Sequence, residues 1–253
     1  GYERTPEGAW SWQHILFASF FVLLMIFLGI FLGLKYRNNE KTKRRTIVIA
    51  AISINAVEIF KTVACSIRSG DAIYTILHTL PLYLCSIMLI ALPLAAFTKG
   101  RLKEASLDFV LIFGFIAGIL GTIGATHDYE SYPVISIDNA ASAITHCTAA
   151  FSSLFIGITG MASLKIKNMW IAITIILGFA TLAQIANLTI PYNYMFLESD
   201  SGTPYLIVTM IVNGNAILYK IFIIGLFVLL ITVFYTFKII TNKKTIRSLA
   251  KQY

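Results

Sequence analysis

The stretch that decides the fold class lies near the start of the chain. Residues 14–34 read HILFASFFVLLMIFLGIFLGL, and the basic segment KYRNNEKTKRR follows directly at residues 35–45. An uncharged run of this length is enough to cross the roughly 30 Å hydrocarbon core of a bilayer as one helix. A basic segment directly after such a run is typical of a cytoplasmic loop. The sequence therefore predicts an integral membrane protein.

The composition agrees with this class. Of the 253 residues, 57% are hydrophobic and 13% are charged, whereas soluble domains contain about 25% charged residues. The length suits one helical bundle, and three cysteines are too few for a disulfide framework. We therefore expect a single all-α, multi-pass domain over residues 1–253, located in the cell membrane.

Six further apolar stretches resemble the first in length. The seven predicted spans cover residues 14–34, 46–67, 75–97, 107–125, 139–163, 168–190 and 215–237. A shorter apolar stretch at residues 205–212 predicts a re-entrant or interfacial segment before the seventh span. In the fourth span, four glycines have the small-residue spacing that favours close helix packing, namely Gly114, Gly118, Gly121 and Gly124. The predicted fold is a bundle of seven transmembrane helices.

Basic residues alternate between successive loops. Lysines and arginines follow the first, third, fifth and seventh spans, and the opposite loops hold only Arg4 and Arg68. Because cytoplasmic loops are enriched in these residues, we expect the N-terminus outside and the C-terminus inside. The net charge of +8 is then explained by topology and by anionic lipid headgroups. No basic face is interleaved with exposed aromatic residues, so we predict no nucleic-acid partner.

A thiol and an imidazole are predicted at similar depths in two spans. Cys85 lies roughly ten residues, or about 15 Å, into the third span, and His146 lies about 10 Å into the fifth. If these spans touch, the pair is the minimal set for nucleophilic acyl transfer. The imidazole takes the thiol proton, and the thiolate attacks an ester carbonyl. The alternative is that Cys85 is a small apolar packing residue.

Pro81 is predicted to bend the third span, because it removes a backbone hydrogen bond. His78 and Cys85 are seven residues apart and so share about the same helix face. Together with the other histidines they lie toward the outer side, but no pair has a zinc-site spacing such as His-x-x-x-His. We predict no metal and no other cofactor.

Five more polar residues lie inside apolar spans. Glu58 and Lys61 are three residues apart and can pair along one face of the second span. Gln184 and Asn187 have the same spacing in the sixth span, and Lys220 lies in the seventh. An ionisable residue in hydrocarbon is a functional hypothesis by default. The alternatives are a structural ion pair, hydrogen bonds between helices, and a lysine that extends to the headgroups.

In the functional interpretation, these residues line a substrate pocket. Glu58 would orient a histidine or bind an amine, and Lys61 or Lys220 would hold a headgroup phosphate. The two amides, Gln184 and Asn187, would donate to an oxyanion or to a lipid carbonyl.

Two short motifs resemble those of a known family. Residues 81–85, Pro-Leu-Tyr-Leu-Cys, resemble the Pro-Leu-His-Leu-Cys signature of the YwaF-type bacterial integral membrane proteins. Residues 193–197, Asn-Tyr-Met-Phe-Leu, resemble the Asn-Tyr-Met-aromatic-Leu motif of that family, and His146 matches the position of its intramembrane histidine. The family is similar to an animal transmembrane acyltransferase that esterifies lyso-ether-phospholipids through a cysteine and a histidine.

The resemblance implies a role for each matching residue. Cys85 and His146 would be catalytic, and Asn193 and Tyr194 would belong to the substrate-binding set. Tyr83 stands where the signature has histidine, so His78 or the Tyr83 hydroxyl would take over any role of that histidine.

The function expected from these observations is acyl transfer within the membrane. The protein would move a fatty acyl chain from a phospholipid to another lipid, a glycolipid or a lipoprotein, in a pocket toward the outer leaflet. A small-solute transporter or binding protein that uses Glu58, Lys61 and Lys220 stays open, although the inner halves of the spans look almost purely apolar. A non-catalytic accessory membrane subunit also stays open.

Overall fold

The computed structural model describes residues 4–249, apart from residues 202 and 204. All regular structure within that part of the chain is helical. The α-helices are α1 (Trp12–Lys35), α2 (Glu40–Ser69), α3 (Ala72–His78), α4 (Met88–Phe97), α5 (Gly100–Ile123), α6 (Thr126–Ser131), α7 (Ile137–Thr159), α8 (Ile166–Thr189), α9 (Leu206–Ile211) and α10 (Ala216–Leu249), and a 3-10 turn covers Tyr194–Phe196.

Six helices in the described residues are long and apolar enough to cross a membrane, namely α1, α2, α5, α7, α8 and α10. They correspond to the first, second, fourth, fifth, sixth and seventh predicted spans. The predicted all-helical class is therefore confirmed, and the six apolar helices support a multi-pass membrane protein. The short helix α9 coincides with the apolar stretch at residues 205–212.

The structure differs from the prediction at the third span. Instead of one helix over residues 75–97, α3 ends at His78 and α4 begins at Met88. Residues 79–87 between them form only turns and bends, and we call this segment the interruption. Pro81 explains the stop, because it lacks an N–H and disfavours helical geometry at Leu80. The predicted bend is a complete break in the helix.

Helix α2 contacts both α7, which carries His146, and α4, which follows Cys85 in the chain. It packs against α4 on one side and against α7 on another, and α5 likewise contacts both α4 and α7. The α5–α7 contact is the most extensive in the structure, and α1 also packs on α7. Helices α8 and α10 pack on each other and on α5.

The close approach of α5 and α7 depends on glycine. A Cβ at Gly114 would lie 2.7 Å from the Ala149 carbonyl oxygen, and a Cβ at Gly118 would lie 2.6 Å from that of His146. Any side chain there would force the helices apart. The predicted packing role of these glycines is confirmed, and Gly121, described below, belongs to the same stripe. Gly124 instead ends α5, and its neighbouring atoms belong to Leu120 of the same helix.

Helix α7 ends at Thr159, short of the predicted boundary at residue 163. Gly160 adopts a φ of +68° there. Glycine takes up this left-handed conformation at little cost, and it commonly ends a helix in this way.

A polar cluster at the half of the bundle that carries the basic loops was not predicted. Asp108 is buried, and its carboxylate accepts hydrogen bonds from the Ser163 N–H at 2.8 Å and from the Tyr235 hydroxyl at 2.9 Å. Glu104, one turn earlier, pairs with Lys165 at 2.6 Å. The expectation that this half is almost purely apolar is therefore wrong. These contacts fasten the loop after α7 to α5 and α10.

Candidate functional site

The interruption is held in place by Tyr194. In a continuous helix, the N–H of residue 81 would donate to the Leu77 carbonyl, but proline has none. The buried Tyr194 hydroxyl donates to that carbonyl instead, and it accepts a hydrogen bond from the Leu80 N–H at 3.3 Å. The tyrosine hydroxyl thus gives a hydrogen-bond partner to the Leu77 carbonyl and to the Leu80 N–H, which the break in the helix leaves without their helical partners. The motifs at residues 81–85 and 193–197 belong to one structural unit.

In α4, a side chain likewise satisfies a backbone carbonyl that a proline leaves without its helical donor. Pro93 leaves the Leu89 carbonyl without its helical donor, and the Asn55 side-chain amide of α2 donates to that oxygen at 3.1 Å. The same amide nitrogen donates to the Ala51 carbonyl at 2.9 Å. Non-helical or broken backbone at membrane depth requires such internal partners. Asn55 therefore links α2 to α4 next to the interruption.

Tyr83 and His78 lie in an aromatic group around the interruption. The Tyr83 ring centroid is 5.4 Å from that of Tyr194 and 5.5 Å from that of Phe196. The His78 ring stacks on Tyr74 at 3.9 Å, and its Nδ1 donates to the Tyr74 carbonyl at 2.8 Å. Tyr192 joins the two residues, with its ring centroid 5.0 Å from that of His78 and 6.4 Å from that of Tyr83, so both belong to the aromatic group around the segment that carries Cys85.

Four residues form what we call the α2 cluster: Glu58, Lys61, Cys85 and His146. The pairing expected for Glu58 and Lys61 is confirmed, with 2.7 Å between Lys61 Nζ and Glu58 Oε1. The charges of both residues act on the Cys85 thiol, and the Lys61 charge also acts on the His146 imidazole. The thiol makes its hydrogen bond to its chain neighbour Ser86, and none joins it to His146 in the described residues. Helix α2, which carries Lys61, packs both on α7, which carries His146, and on α4, which follows Cys85 in the chain.

The His146 ring lies directly on the backbone of α5. A Cβ at Gly121 would lie 2.2 Å from the imidazole Cε1 and 2.3 Å from Nδ1. Only glycine leaves room for the ring in this position. Because the ring is held by packing, and no described residue hydrogen-bonds to it, its nitrogens stay available for proton transfer.

A groove opens beside the interruption. Its volume is about 320 Å³, and its walls come from α2, from the start of the interruption and from the first turn of α4; they are Asn55, Glu58, Ile59, Thr62, Val63, Thr79, Pro81, Leu89 and Ile90. Glu58 is the single charged residue among these. The groove therefore lies between α2 and the two ends of the interruption, with Glu58 of the α2 cluster in its wall.

The remaining predicted substrate-binding residues lie in a separate place, together with Glu198, which was not predicted. We call this group the α8 cluster: Gln184, Asn187, Asn193, Tyr194, Glu198 and Lys220. Lys220 Nζ contacts both Glu198 carboxylate oxygens, at 2.8 and 3.0 Å, and Gln184 Nε2 donates to the same carboxylate at 2.9 Å. Glu198 lies in the connection between α8 and α9, outside the spans, and the hydrogen bond from Lys220 lowers the pKa of its carboxyl group. Sequence analysis missed Glu198, because a carboxylate in a loop gives no signal of its own.

The two asparagines of the α8 cluster shape that connection. Asn187 bonds to Tyr194 at two points, donating to its carbonyl at 3.0 Å and accepting from its N–H at 2.7 Å. Asn193 accepts from the Glu198 N–H at 2.9 Å and donates to the Ser199 carbonyl at 2.8 Å. All the polar side chains of this cluster are thus engaged within the protein, and they make no hydrogen bond to the α2 cluster in the described residues.

The two other cysteines have different surroundings. The Cys65 thiol donates to Asp138 at 3.2 Å, and two guanidinium nitrogens of Arg68 donate to the same carboxylate. Cys147 is buried against Met25 in a small apolar group. Within the described part of the chain, no three histidine, cysteine or acidic residues are arranged to hold a metal ion.

Comparison with known proteins gives one match. The chain matches the TMEM164 family over residues 9–240, a range that contains both motifs, the interruption and the α2 cluster. No match was found among curated proteins or among solved structures.

Proposed function

Because the chain belongs to the TMEM164 family, a family of transmembrane proteins, we propose that it is a membrane-embedded acyltransferase with Cys85 as nucleophile and His146 as general base. One observation carries the proposal: α2, with the Glu58–Lys61 pair, packs both on α7, which carries His146, and on α4, which directly follows the interruption that holds Cys85. The resemblance to the YwaF-type bacterial proteins implies the same chemistry for the same two residues.

The proposal includes a topology of seven crossings in the cell membrane. Helix α3, the interruption and α4 together make the third crossing, which adds to the six long helices. An odd number of crossings agrees with basic residues on every second loop, so the N-terminus lies outside and the C-terminus inside. The α2 cluster then lies in the outer half of the bundle.

The first half-reaction loads the cysteine. A phospholipid places one ester carbonyl between the Cys85 sulfur and the His146 ring. The imidazole takes the thiol proton, the sulfur bonds to the carbonyl carbon, and the ester C–O bond breaks. The imidazolium returns its proton to the departing lysophospholipid oxygen, which leaves a thioester on Cys85. Catalytic groups often reach hydrogen-bonding distance only when substrate is bound, so the separation of thiol and imidazole is compatible with these roles.

The second half-reaction unloads the cysteine. The hydroxyl or amine of an acceptor gives a proton to His146 and attacks the thioester carbonyl. The sulfur leaves as a thiolate and recovers the proton from the imidazolium. The acceptor is a lysophospholipid, a glycolipid or a lipoprotein. Lys61 stabilises the thiolate in both halves, because its positive charge acts on the sulfur.

The contacts described above support a division of labour among the candidate residues. The α2 cluster carries the chemistry, whereas the α8 cluster holds the connection that clamps the interruption. Tyr194 therefore acts on Cys85 indirectly, as a positioning residue, and so do the aromatic rings of Tyr83 and His78.

The test uses purified protein and a phospholipid that is radiolabelled in its acyl chains. We expect a protein adduct that hydroxylamine releases and that is absent in Cys85→Ala. The matched controls are Cys65→Ser and Cys147→Ser, which keep the adduct. In His146→Gln the adduct forms at least about 100-fold more slowly, the usual contribution of a general base. An adduct that persists in Cys85→Ala would overturn the proposal.

The same variants separate the alternatives. A transporter that uses the ion pair predicts solute flux that survives Cys85→Ala and is lost in Glu58→Gln. An accessory subunit predicts neither an adduct nor flux, with partner binding unchanged in both variants.

A further inference from the structure

We infer that the groove beside the interruption binds a single acyl chain of a membrane phospholipid. That this lipid is the acyl donor rests on the proposed function; that the groove holds a lipid chain does not.

The dimensions of the groove fit one chain in one leaflet. Its α2 wall extends over the nine residues from Asn55 to Val63, or about 12 Å along the helix axis. A leaflet contributes half of the roughly 30 Å hydrocarbon core, so the groove covers most of one leaflet. Its volume of about 320 Å³ lies at the lower end of the range for small-molecule sites.

The groove faces lipid along its open side. Ile59, Val63 and Ile90 on its rim are 65%, 52% and 41% exposed, and α2 is one of the helices that can cross a membrane. An empty concavity at this depth would forfeit dispersion contacts along its whole lining. A hydrocarbon chain restores these contacts, and the neighbouring molecules at this depth are lipids.

Three of the four polar side chains that line the groove have partners among the described residues of the protein; the exception is Thr62. Asn55 donates to the Leu89 and Ala51 carbonyls, and the Thr79 hydroxyl donates to the Thr75 carbonyl at 2.8 Å. Glu58 is paired with Lys61. The other five lining residues are apolar, so one hydroxyl is the polar side chain left for a ligand, which favours a hydrocarbon chain over a polar solute.

The groove also leads to the nucleophile. Its wall includes Thr79 and Pro81 at the start of the interruption and Leu89 just after its end, and Cys85 lies in the chain between them. A chain seated in the groove therefore lies against both ends of the segment that carries Cys85, and the groove would set which acyl chains the protein accepts.

The experiment measures chain binding without catalysis. The Cys85→Ala protein, in nanodiscs, is irradiated with a phospholipid that carries a diazirine in one acyl chain, and the adducts are mapped by mass spectrometry. We expect adducts concentrated on residues 55–63 and 79–90. Val63→Trp fills the groove and should lower these adducts about tenfold, which corresponds to about 1.4 kcal/mol of lost binding. The matched control is Ile52→Trp, a substitution at an exposed position of α2 outside the groove, which should leave them unchanged.

Even labelling of every exposed face, or equal loss in Val63→Trp and Ile52→Trp, would overturn the inference. If Val63→Trp does not fold, the smaller change Val63→Phe gives the same test. Groove adducts without any thioester on Cys85 in the otherwise unchanged protein would support the chain site and contradict acyl transfer. A thioester on Cys85 without groove adducts would support acyl transfer and contradict the chain site.

Discussion

The α2 cluster and the α8 cluster each contain a glutamate–lysine pair, but they differ in how completely their polar residues are engaged. In the α8 cluster, Lys220 and Gln184 both bond to one carboxylate, and Asn187 binds the backbone of Tyr194 at two points. In the α2 cluster, Glu58 and Lys61 pair with each other, the Cys85 thiol bonds only to its chain neighbour Ser86, and the His146 imidazole has no hydrogen-bond partner in the described residues.

The difference distinguishes polar groups that are bonded within the protein and stabilise the fold from polar groups that remain available to a substrate. Polar groups in hydrocarbon are costly, so most of them are satisfied within the protein. A fully satisfied group has no capacity left for a substrate, whereas a thiol bonded only to its chain neighbour and an imidazole without a hydrogen bond in the described residues retain theirs. The predictions below test whether the two clusters differ in this way.

The largest expected effect is on stability, from Tyr194→Phe. The change deprives the Leu77 carbonyl and the Leu80 N–H of their partner, and each unsatisfied buried group costs about 1–3 kcal/mol. For a protein of this size, the unfolding midpoint should fall by roughly 4–20 °C. The matched control is Tyr36→Phe, since the Tyr36 hydroxyl makes no hydrogen bond in the described part of the chain. Equal midpoints for the two variants would show that the interruption does not depend on Tyr194.

The second effect is on catalysis, from Gly121→Ala. The new methyl group would lie 2.2 Å from the His146 ring, so the imidazole must move, at a cost of about 1–3 kcal/mol in stability. Formation of the thioester should slow much more than stability falls, because a displaced base cannot reach the thiol proton. Gly178→Ala on α8 is the control, since no atom lies within 4 Å of its added methyl. Unchanged thioester formation in Gly121→Ala would remove His146 from the mechanism.

The third effect is on thiol reactivity. Lys61→Met removes the positive charge that acts on Cys85, so alkylation of the thiol should slow by up to about tenfold, the factor that 1.4 kcal/mol provides. Glu58→Gln removes the negative charge and should speed alkylation. Lys220→Met is the control in the α8 cluster and should have no effect. The measurement is the rate of Cys85 alkylation in protein that lacks the other two cysteines; equal rates for Lys61→Met and Lys220→Met would erase the distinction between the clusters.

The smallest effect is a pH dependence at Glu198. Its pKa in the folded protein is lowered, first of all by Lys220, so its contribution to stability is present above its unfolded pKa and is lost as the pH falls through the lower, folded pKa. Glu198→Gln should therefore reduce stability at neutral pH by less than about 1 kcal/mol, as for other exposed pairs. The difference from the unchanged protein should vanish in strong acid.

Thermal unfolding at neutral and acid pH measures this effect. Glu130→Gln, at an exposed site without an ion pair in the described residues, is the control and should show no difference at either pH. A Glu198→Gln deficit that grows on acidification would have the wrong sign for this account.

Local patterns in the sequence were enough for the membrane class and for most helix positions. Charge alternation and apolar length depend only on neighbouring residues, and the three-residue spacing of Glu58 and Lys61 is visible in the same way. Pro81 gave a signal for a bend. Whether the helix continues past it depends on a hydroxyl that comes 114 residues after Leu80 in the chain, and no local pattern reveals such a partner.

The individual residues of the candidate site could be predicted from the sequence, but which of them lie together could not. Cys85, His146, Glu58 and Lys61 were all recognised, but Lys220 was placed with them and lies in the other cluster. Asp108 was overlooked, because a single carboxylate at the edge of an apolar span looks like part of the loop. Its partner Tyr235 is 127 residues away, so only the tertiary structure shows why the carboxylate is retained.

The hydrogen bond from the Asn55 side-chain amide to the Leu89 carbonyl has a consequence for evolution. It ties the identity of residue 55 on one helix to the presence of proline at residue 93 on another. If position 93 mutated to a residue with an N–H, α4 could satisfy its own carbonyl, and the asparagine would lose one of its two acceptors inside the bilayer. We expect the two positions to change together among descendants of this chain, so that inheritance of one records the state of the other.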